Sequence, residues 1–333
     1  MDLELLSTTL AELDEPAYRA GQVWEWTSRG VSGYEEMTNL PAELRTQLAE
    51  RVPFSSLELV DQAESRDGTI KALFHTADGR PVEAVMMRYE DARRSICVSS
   101  QSGCPLTCTF CATGTMAFGR NLTASEILDQ ALHFRRIEPV NHCVFMGMGE
   151  PMMNLDNVLA SCEKLPDIGI TSRRTTVSTV GWVPGIEQFN AQDRPIRLAL
   201  SLHAADPELR SKIMPVNDRY PLKDVLDLCR KHYAENNRRV FIEYVMLEGV
   251  NDHIKHAREL AAALMPHEAF KVNLIPYNPT GTGYDGSSRT AIAAFRDTLQ
   301  DAGVVVTVRL TRGRDIAAAC GQLVADAAAP SAA

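Results

Sequence analysis

Three cysteines fall within eight residues of one short stretch, Cys104-Pro-Leu-Thr-Cys108-Thr-Phe-Cys111. Because this loop is too short to hold its thiols far apart, Cys104, Cys108 and Cys111 are expected to ligate one compact soft-metal group. Structural zinc usually takes four protein ligands in CxxC pairs, and the chain has no second CxxC to complete such a set. A 4Fe-4S cluster with three cysteine ligands leaves one iron open, and S-adenosylmethionine is the obvious ligand for it. A structural zinc site is the minor alternative.

The residues on either side of the triplet resemble those of a known family. A CxxxCxxC pattern followed by an aromatic-containing loop is the signature of radical S-adenosylmethionine enzymes. More narrowly, the runs Cys97-Val-Ser-Ser-Gln-Ser-Gly-Cys104 and Phe118-Gly-Arg-Asn-Leu-Thr123 are similar to those of bacterial adenine carbon-2 RNA methyltransferases, and the similarity covers nearly the whole chain. The resemblance implies one 4Fe-4S cluster and two S-adenosylmethionine molecules per turnover.

Composition and charge set the broad class of protein. The 333 residues are 45% hydrophobic, and no run of about 18 uninterrupted apolar residues occurs, so we expect a globular protein that does not span a membrane. The amino-terminal residues lack a basic region and an apolar run, which predicts a cytoplasmic protein with thiols rather than a disulfide framework. The net charge of -9 disfavours nucleic-acid binding. Local clusters of arginine can override the effect of the net charge. The candidate clusters are Arg93-Arg94, Arg173-Arg174, and the group Arg309, Arg312 and Arg314.

The sequence predicts an α/β chain in several parts. Helical periodicity runs from Pro16 to Trp26, and Pro41 begins another helix. This part resembles the family's accessory domain, which helps to hold RNA, although a generic helical cap fits the composition equally well. Three strand-like runs follow, separated by the tight-turn dipeptides Asp67-Gly68 and Asp78-Gly79. The predicted parts are a helical RNA-binding domain (1–55), a small antiparallel β segment (56–92), a barrel with a carboxyl-terminal catalytic segment (93–326) and a flexible tail (327–333).

Apolar strand-like runs alternate with helical stretches in the rest of the chain. Six such runs imply parallel strands joined by right-handed crossovers, so we predict a partial (β/α)6 TIM-like barrel of the radical S-adenosylmethionine type. Thr123 and Glu126 are spaced as a capping box that begins the first helix. An extra strand, 304–310, precedes a short alanine-rich helix. The six runs are 95–99, 142–146, 174–179, 196–202, 239–246 and 270–275.

Polar residues are expected to collect where the barrel strands end, because loops at the carboxyl ends of parallel strands meet at one mouth. Gly147 and Gly149 would let a ligand approach the backbone, and Glu150 would receive its ammonium group. The alternatives are a turn with a surface glutamate at Glu150 and ordinary strand-end hydrogen bonds at the later strand ends. The family has a serine where this chain has Val180 and a tryptophan where it has Tyr277. Neither change removes a residue that the resemblance assigns to S-adenosylmethionine. The resemblance assigns S-adenosylmethionine contacts to Gly149, Glu150, Ser178, Ser201, Leu202, His203 and Asn278.

Two further cysteines align with the catalytic pair of the family. The resemblance makes Cys320 the methyl-carrying residue and Cys97 the residue that resolves the protein–RNA adduct. Glu83 resembles a family acid near the methyl-transfer site, with an acid–base or orienting role, and an ordinary carboxylate on the solvated surface is the alternative. The remaining cysteines, interpreted as small buried hydrophobes, are Cys143, Cys162 and Cys229.

The residues around Cys320 depart from the family pattern. Arg312 and Arg314 are expected to favour the nucleophilic thiolate of Cys320. The family has an acidic pair where this chain has Arg314-Asp315, and a further acid where it has Ala317. These changes bear on the hydrogen bonds around Cys320.

The resemblance also implies a reaction. One S-adenosylmethionine methylates Cys320, and a second, cleaved reductively, gives a 5′-deoxyadenosyl radical that activates the methyl group for addition to the adenine ring. Cys97 then resolves the adduct through a transient disulfide. The implied substrates are the peptidyl-transferase-centre adenosine of 23S rRNA and the adenosine 3′ to certain tRNA anticodons, with a flavodoxin or ferredoxin as electron donor and a monomeric enzyme.

Two rival functions stay open at this point. The first is the related carbon-8 adenosine methyltransferase, which confers antibiotic resistance, although Thr311-Arg312-Gly313 looks more like the carbon-2 branch. The second is a metal-containing protein that binds RNA without catalysis. Such a protein would keep the cysteines but has no need for Glu150, Ser178 or Asn278.

Overall fold

The amino-terminal helices form a small unit with its own apolar core. The structure is a computed structural model that describes residues 1–192 and 194–324, so the predicted tail, 327–333, lies outside the described residues. The core of this unit includes Leu6, Val23 and Leu48. The helices in the described residues are α1 (Leu3–Glu12), α2 (Tyr18–Arg29), α3 (Ala42–Arg51), α4 (Ala124–Ile137), α5 (Leu155–Lys164), α6 (Val183–Asn190), α7 (Pro207–Ile213), α8 (Val216–Arg219), α9 (Leu222–Asn236), α10 (Ile254–Ala263) and α11 (Arg289–Asp301).

Both helices predicted in this unit are confirmed, and their ends follow from the sequence. Helix α2 ends at Gly30, whose φ of 95° is the left-handed geometry that glycine supplies at a helix end. Helix α3 begins directly after Pro41, which lacks the N–H that a helix start leaves unpaired. Trp24 donates its indole N–H to Asp167 over 2.7 Å and so ties α2 to the rest of the chain.

One ten-stranded sheet carries the rest of the fold, in the order β1-β2-β3-β4-β7-β8-β9-β10-β11-β12, and β5 pairs only with β6. From β4 through β7 to β12 each neighbouring pair is parallel. The strands are β1 (Leu57–Glu64), β2 (Ile70–Thr76), β3 (Pro81–Arg88), β4 (Arg94–Cys97), β5 (Gln101–Ser102), β6 (Arg120–Asn121), β7 (His142–Phe145), β8 (Thr175–Thr179), β9 (Arg197–Ser201), β10 (Val240–Met246), β11 (Phe270–Pro276) and β12 (Val306–Val308).

The six predicted parallel strands are therefore present, with helices between them, and the predicted α/β barrel class is confirmed. The predicted capping box also forms, because the Glu126 side chain accepts the Thr123 N–H over 2.9 Å and the Glu126 N–H donates to the Thr123 hydroxyl. One continuous apolar core, which includes Phe134, Phe145 and Phe270, lies between the parallel sheet and its helices. In the described part of the chain, no helix has the length and apolar character needed to cross a membrane.

The antiparallel strands β1 to β3 extend the parallel sheet instead of forming a sheet of their own. Strand β3 pairs antiparallel with β4, and Val85 lies opposite Cys97. The tight turns predicted at Asp67-Gly68 and Asp78-Gly79 are found between these strands, with φ of 79° at Gly68 and 74° at Gly79. The domain boundaries after residues 55 and 92 stay predictions.

The alanine-rich helix predicted after the last strand does not form in the described residues. After β12, the only helical element up to residue 324 is a single 3-10 turn, Arg314–Ile316. Gly313 and Ala317 flank this turn with φ of 66° and 50°, left-handed values that stop a right-handed helix at both ends. Hydrogen bonds between Gly313 and Asp67 and between Asp315 and Arg66 also hold this irregular segment against the β1–β2 turn.

Candidate functional site

The three clustered cysteines line one cavity at the carboxyl ends of the parallel strands. Their loop is folded by its own backbone, since Cys111 N–H donates to the Cys108 carbonyl over 3.2 Å and Gly114 N–H donates to the Cys111 carbonyl over 3.0 Å. Thr109 N–H also donates to the Ile213 carbonyl over 3.0 Å, which fixes the loop to the end of α7. A β-carbon at position 114 would lie 2.8 Å from the Cys108 carbonyl oxygen, so only glycine fits there. The predicted ligand set is thus brought to one place.

The chemistry of this donor set fits a metal cluster. The three thiols are free, and burial raises the pKa of Cys104 to about 12 and also raises the pKa values of Cys108 and Cys111. Buried thiols of this kind become thiolates when a cation compensates them. No three His, Cys, Asp or Glu side chains in residues 1–192 and 194–324 are arranged to hold a metal ion. That finding concerns a single ion such as zinc, whereas a 4Fe-4S cluster takes its ligands around a wider object.

Glu150 is buried at the side of the same cavity. Its carboxylate accepts the Met152 N–H over 3.1 Å and the Val180 N–H over 3.0 Å. Burial raises the pKa of Glu150 to about 7, and these hydrogen bonds oppose the shift only in part. The alternative of an ordinary surface glutamate is wrong, because the residue is 2% exposed. A buried carboxylate with unused lone pairs is a suitable partner for a ligand ammonium group.

The two glycines before Glu150, Gly147 and Gly149, line the cavity and also pack closely against neighbouring chain. A β-carbon at Gly147 would lie 2.6 Å from the Ser99 hydroxyl oxygen, and one at Gly149 would lie 2.5 Å from the Gln101 β-carbon. Gly149 also has a φ of 94°. Both glycines therefore let this loop pack against the chain that follows β4.

The remaining predicted cofactor contacts lie at the carboxyl ends of β8, β9 and β11. The hydroxyls of Ser178 and Ser201 are 3.4 Å apart, and Asn278 also lines the cavity. His203 accepts the Val245 N–H at Nδ1 over 3.0 Å, and burial lowers the pKa of His203 to about 3, so its imidazole is neutral with the proton on Nε2. Leu202 differs from the others: its side chain packs in the core and it is not among the described residues that line the cavity.

Cys97 and Cys320 face a second cavity that adjoins the first. The two cavities share Cys111, Asn278 and Cys320 among other residues. Cys97 is buried on β4, whereas Cys320 is partly exposed on the carboxyl-terminal segment, and both thiols are free. Burial raises the pKa of Cys97 to about 12, with the negative charge of Cys320 adding to the shift and Arg309 opposing it. The predicted catalytic pair is therefore brought together beside the cysteine triplet.

The cation beside Cys320 is Arg309, not Arg312 or Arg314 as the sequence suggested. Interaction with Cys320 is the largest cause that raises the pKa of Arg309, followed by opposing burial and then by Glu243. Arg312 instead stacks on the Tyr89 ring, with 4.8 Å between its guanidinium carbon and the ring centroid. Arg314 donates its Nε–H to the Asn278 side-chain oxygen over 3.0 Å. The arginine that replaces a family acid thus holds a predicted cofactor contact.

Acidic residues hold the segment that carries Cys320. Asp67 accepts the Gly313 N–H over 3.0 Å, and Asp315 accepts the Ser65 hydroxyl and the Arg66 N–H. Both acids therefore join this segment to the β1–β2 turn. The hydrogen bond from Ser65, followed by that from Arg66, lowers the pKa of Asp315.

Glu83 anchors the far end of the same segment. It is 1% exposed, accepts the Val324 N–H over 3.0 Å and pairs with Lys71 over 2.9 Å. The alternative of a solvated surface carboxylate is therefore wrong. A direct role of Glu83 in the reaction stays a prediction.

Arg210 is a functional candidate that sequence reasoning missed. Its side chain is fully buried on α7 and donates to the carbonyl oxygens of Val180 and Leu202, over 2.7 and 3.1 Å, and to the Asn217 side-chain oxygen over 2.8 Å. It therefore links the ends of β8 and β9. Burial lowers the pKa of Arg210 to about 10, which leaves a cation near Cys108. Nothing in the local sequence around Arg210 signals this role, because a charged residue on a short helix is ordinarily solvated and the Val180 carbonyl is 30 residues away in the chain.

Comparisons with known proteins agree with this geometry. Residues 98–261 match the Radical SAM superfamily, and residues 1–53 match the ribosomal RNA large subunit methyltransferase N-terminal domain. A Thermus thermophilus protein named probable dual-specificity RNA methyltransferase RlmN is 44% identical, over 96% of this chain and 92% of its own. A Gemmatimonas aurantiaca protein of the same name is 46% identical, over 96% of this chain and 90% of its own. The crystal structure of a radical SAM methyltransferase from Sphaerobacter thermophilus is 42% identical, with a TM-score of 0.92 over 98% of both chains.

The raised pKa of Glu150 predicts a pH-dependent cost in stability. Between pH 4.5 and 7 the unfolded carboxyl is ionised while the folded one keeps its proton, so stability falls as pH rises through this window. Wild type should lose about 3 kcal/mol of unfolding free energy across it relative to Glu150→Gln. Denaturant unfolding at several pH values measures this difference. Parallel curves for the two proteins would contradict the assignment.

The position of Arg309 predicts the reactivity of Cys320. Arg309→Met removes the neighbouring cation, so alkylation of Cys320 by iodoacetamide at neutral pH should slow by about tenfold. Arg312→Met is the matched control, because Arg312 lies against Tyr89 and should leave the rate within about twofold. Peptide mass spectrometry of the Cys320 peptide measures both rates. Equal slowing in the two variants would show that Arg312 affects Cys320 as much as Arg309 does, and would contradict the assignment to Arg309.

Proposed function

The chain belongs to the radical S-adenosylmethionine superfamily and, within it, to the RlmN family of dual-specificity RNA methyltransferases, and on that premise we propose that it methylates carbon 2 of adenosine in 23S rRNA and in tRNA. The observation that carries the proposal is the placement of Cys97 and Cys320 on one cavity that adjoins the cysteine triplet. A protein that only binds metal and RNA has no use for a second pair of thiols there.

The residues of the first cavity fit both groups that the superfamily implies. Cys104, Cys108 and Cys111 would hold a 4Fe-4S cluster, and the cluster, when bound, supplies the electron that cleaves S-adenosylmethionine. Glu150 would accept the ammonium group of S-adenosylmethionine through a charge-assisted hydrogen bond. Hydroxyls and an amide suit the ribose and ring nitrogens, and these come from Ser178, Ser201 and Asn278.

The thiols of Cys97 and Cys320 account for the methylation of an unreactive ring carbon in this proposal. Carbon 2 of adenine is not nucleophilic, so the methyl group needs a carrier from which radical chemistry can transfer it. The Cys320 thiolate takes the methyl group first, with Arg309 stabilising the thiolate. Once the former methyl carbon is bonded to the ring, the adduct would return one electron to the cluster and lose the ring hydrogen as a proton. The Cys97 thiolate then attacks Cys320 Sγ: the S–S bond forms, the bond from Cys320 Sγ to that carbon breaks, and the carbon takes up a proton to become the methyl group of the released base. The electron donor would reduce the disulfide before the next turnover. We propose two S-adenosylmethionine molecules per turnover for this reason.

The remaining parts of the proposal rest on family membership. The helical unit formed by residues 1–53 would help to hold RNA, since it matches the methyltransferase N-terminal domain. A small electron-transfer protein such as a flavodoxin or ferredoxin would reduce the cluster, and the enzyme would act as a monomer. The target adenosine must leave its stack to reach a cavity of this kind, which favours loops and flexible RNA segments.

The cluster assignment predicts the effect of losing one ligand. Cys108→Ala, reconstituted anaerobically with iron and sulfide, should lose the visible charge-transfer absorbance and produce no 5′-deoxyadenosine from S-adenosylmethionine. Cys162→Ala is the matched control, because Cys162 is a buried core thiol away from the cavity and should leave both readouts in place. A Cys108→Ala protein that still cleaved S-adenosylmethionine under reducing conditions would rule out the assignment.

The division of labour between Cys97 and Cys320 predicts different failures. Cys320→Ala has no thiolate to accept a methyl group, so neither methylated cysteine nor RNA adduct should form. Cys97→Ala should accept the methyl group and remain attached to RNA, because the resolving thiol is absent. Denaturing electrophoresis should show a slow, nuclease-sensitive band for Cys97→Ala only. Covalent RNA on Cys320→Ala, or normal turnover by Cys97→Ala, would contradict the assigned roles.

The carbon specificity needs its own measurement. Mass spectrometry and chromatography of nucleosides from treated RNA should show 2-methyladenosine in 23S rRNA fragments and in tRNA. Carbon-8 methylation would identify the rival enzyme activity, and RNA binding without any methylated nucleoside would identify the non-catalytic protein.

A further inference from the structure

The end of the barrel opposite the cysteine triplet is a strongly basic concave surface. It lies at the amino ends of the parallel strands, and Glu243 is the one carboxylate among the described residues that line it. This is unusual in a chain with a net charge of -9. We call this surface the basic mouth and define it by six cationic side chains: Arg93, Arg173, Arg174, Arg197, Arg239 and Lys271.

Strand register explains why two of these cations, Arg197 and Lys271, face the barrel interior. In the parallel sheet, Phe241 on β10 lies opposite both Ala199 on β9 and Lys271 on β11. Arg197 precedes Ala199 by two residues and so lies on the same face, one step nearer the amino end. One step toward the carboxyl end, Glu243 lies opposite Asn273. The interior face therefore changes from cations, through Glu243, to the cofactor site.

The positive charge of the basic mouth is only partly neutralised by the described part of the chain, where Arg93 pairs with Asp91 over 4.0 Å and Arg309 pairs with Glu243 over 3.9 Å. Arg174, Arg197 and Lys271 have no carboxylate within ion-pair distance there. Arg197 and Lys271 instead flank the Phe241 ring, each with its charged group 5.8 Å from the ring centroid. Burial and then the neighbouring charges of Arg174 and Arg93 lower the pKa of His142 on the same surface. Cations held together in this way are stabilised by a polyanionic partner.

The basic mouth also leads to the reaction site. Its cavity shares Met146, Glu243 and Arg309 with the cavity of the cysteine triplet, and Met146 and Arg309 also line the cavity of Cys97 and Cys320. A chain bound at the mouth is thus placed to direct one of its groups along the barrel interior toward Cys320.

From this arrangement we infer that the basic mouth binds the backbone phosphates of a single-stranded RNA segment next to the target adenosine, with Arg174, Arg197 and Lys271 as phosphate contacts and Phe241 as a stacking surface for a neighbouring base. The inference rests on the proposed function and adds the route by which RNA approaches the cysteine pair. Single-stranded RNA is typically recognised by a positively charged groove with aromatic side chains, on which bases stack.

An acidic protein is a poorer fit for this surface. The cations lie inside a concavity, where a flexible strand can enter more easily than the convex surface of a folded protein. An electron donor must also approach the cysteine triplet, and that loop follows the carboxyl end of β4, whereas the mouth lies at the amino ends. The partly exposed ring of Phe241 between two cations has a role with bases and none with carboxylates.

The test compares two triple variants of the full-length, cluster-loaded protein. Arg174→Gln/Arg197→Gln/Lys271→Gln alters the mouth. Lys223→Gln/Lys231→Gln/Arg296→Gln is the control, with the same change in net charge at residues exposed on the outer helices α9 and α11. Fluorescence anisotropy with a labelled RNA hairpin that has an unpaired loop adenosine gives the affinity at several salt concentrations. Thermal unfolding of each variant identifies any that fails to fold.

The mouth variant should bind at least tenfold more weakly at low salt. Its plot of log affinity against log salt should be shallower by about 2, because each phosphate contact with a single strand contributes about 0.7 to the slope. The control should keep the wild-type slope. Phe241→Leu, which keeps an apolar side chain but removes the aromatic face, should weaken binding about tenfold without changing the slope. This conservative change also tests the site if the triple variant does not fold.

The outcomes separate this inference from the proposed function. If wild type methylates RNA while the mouth variant, the control and Phe241→Leu bind as wild type does, the mouth is not the RNA route and the inference fails alone. If RNA binding is intact but flavodoxin-driven reduction of the mouth variant is lost, the surface receives an acidic protein and the inference is overturned. If wild type methylates no RNA, the proposed function itself fails.

Discussion

The hydrogen bonds between the β1–β2 turn and the carboxyl-terminal segment are the constraint on which the reaction site depends. Asp67 accepts the Gly313 N–H, and Asp315 reaches back to Ser65 and Arg66. These contacts hold the segment across the barrel, so that Cys320 faces Cys97 on β4. The antiparallel strands, which the sequence predicts as a small segment of their own, therefore help to position the site. A carboxylate in place of Arg314 would lose the hydrogen bond that this chain makes to Asn278.

One interior face of the barrel carries three kinds of chemistry in order. Cations and Phe241 lie at the amino ends, Glu243 and Asn273 form the middle layer with a 2.8 Å hydrogen bond, and the serines and thiols lie at the carboxyl ends. The pleat places alternate side chains of each strand on this face, so a single register positions all three layers. Arg309 belongs to both ends, because it lines the basic mouth and lies beside Cys320.

The sequence predicted what depends on local pattern. The six parallel strands follow from apolar runs separated by helical stretches, and the convergence of the cysteine triplet follows from its spacing. The errors concern contacts between distant residues. Arg312 and Arg314 are nearer to Cys320 in sequence than Arg309 is, but the left-handed turn at Gly313 directs them to Tyr89 and Asn278. Likewise, the close approach of Gly147 to the hydroxyl of Ser99 is a contact that no local pattern reveals.

The central claim is that Cys97 and Cys320 act as a pair on one cavity, and non-reducing peptide mass spectrometry of the enzyme after a single turnover tests it most directly. Protein loaded with a cluster and S-adenosylmethionine is given RNA anaerobically, quenched with an alkylating agent and digested. A peptide in which Cys97 is disulfide-linked to Cys320 should appear in proportion to methylated adenosine and should be absent when RNA is omitted. Accumulation of methylated adenosine while both cysteines are recovered as separate alkylated thiols would contradict the claim.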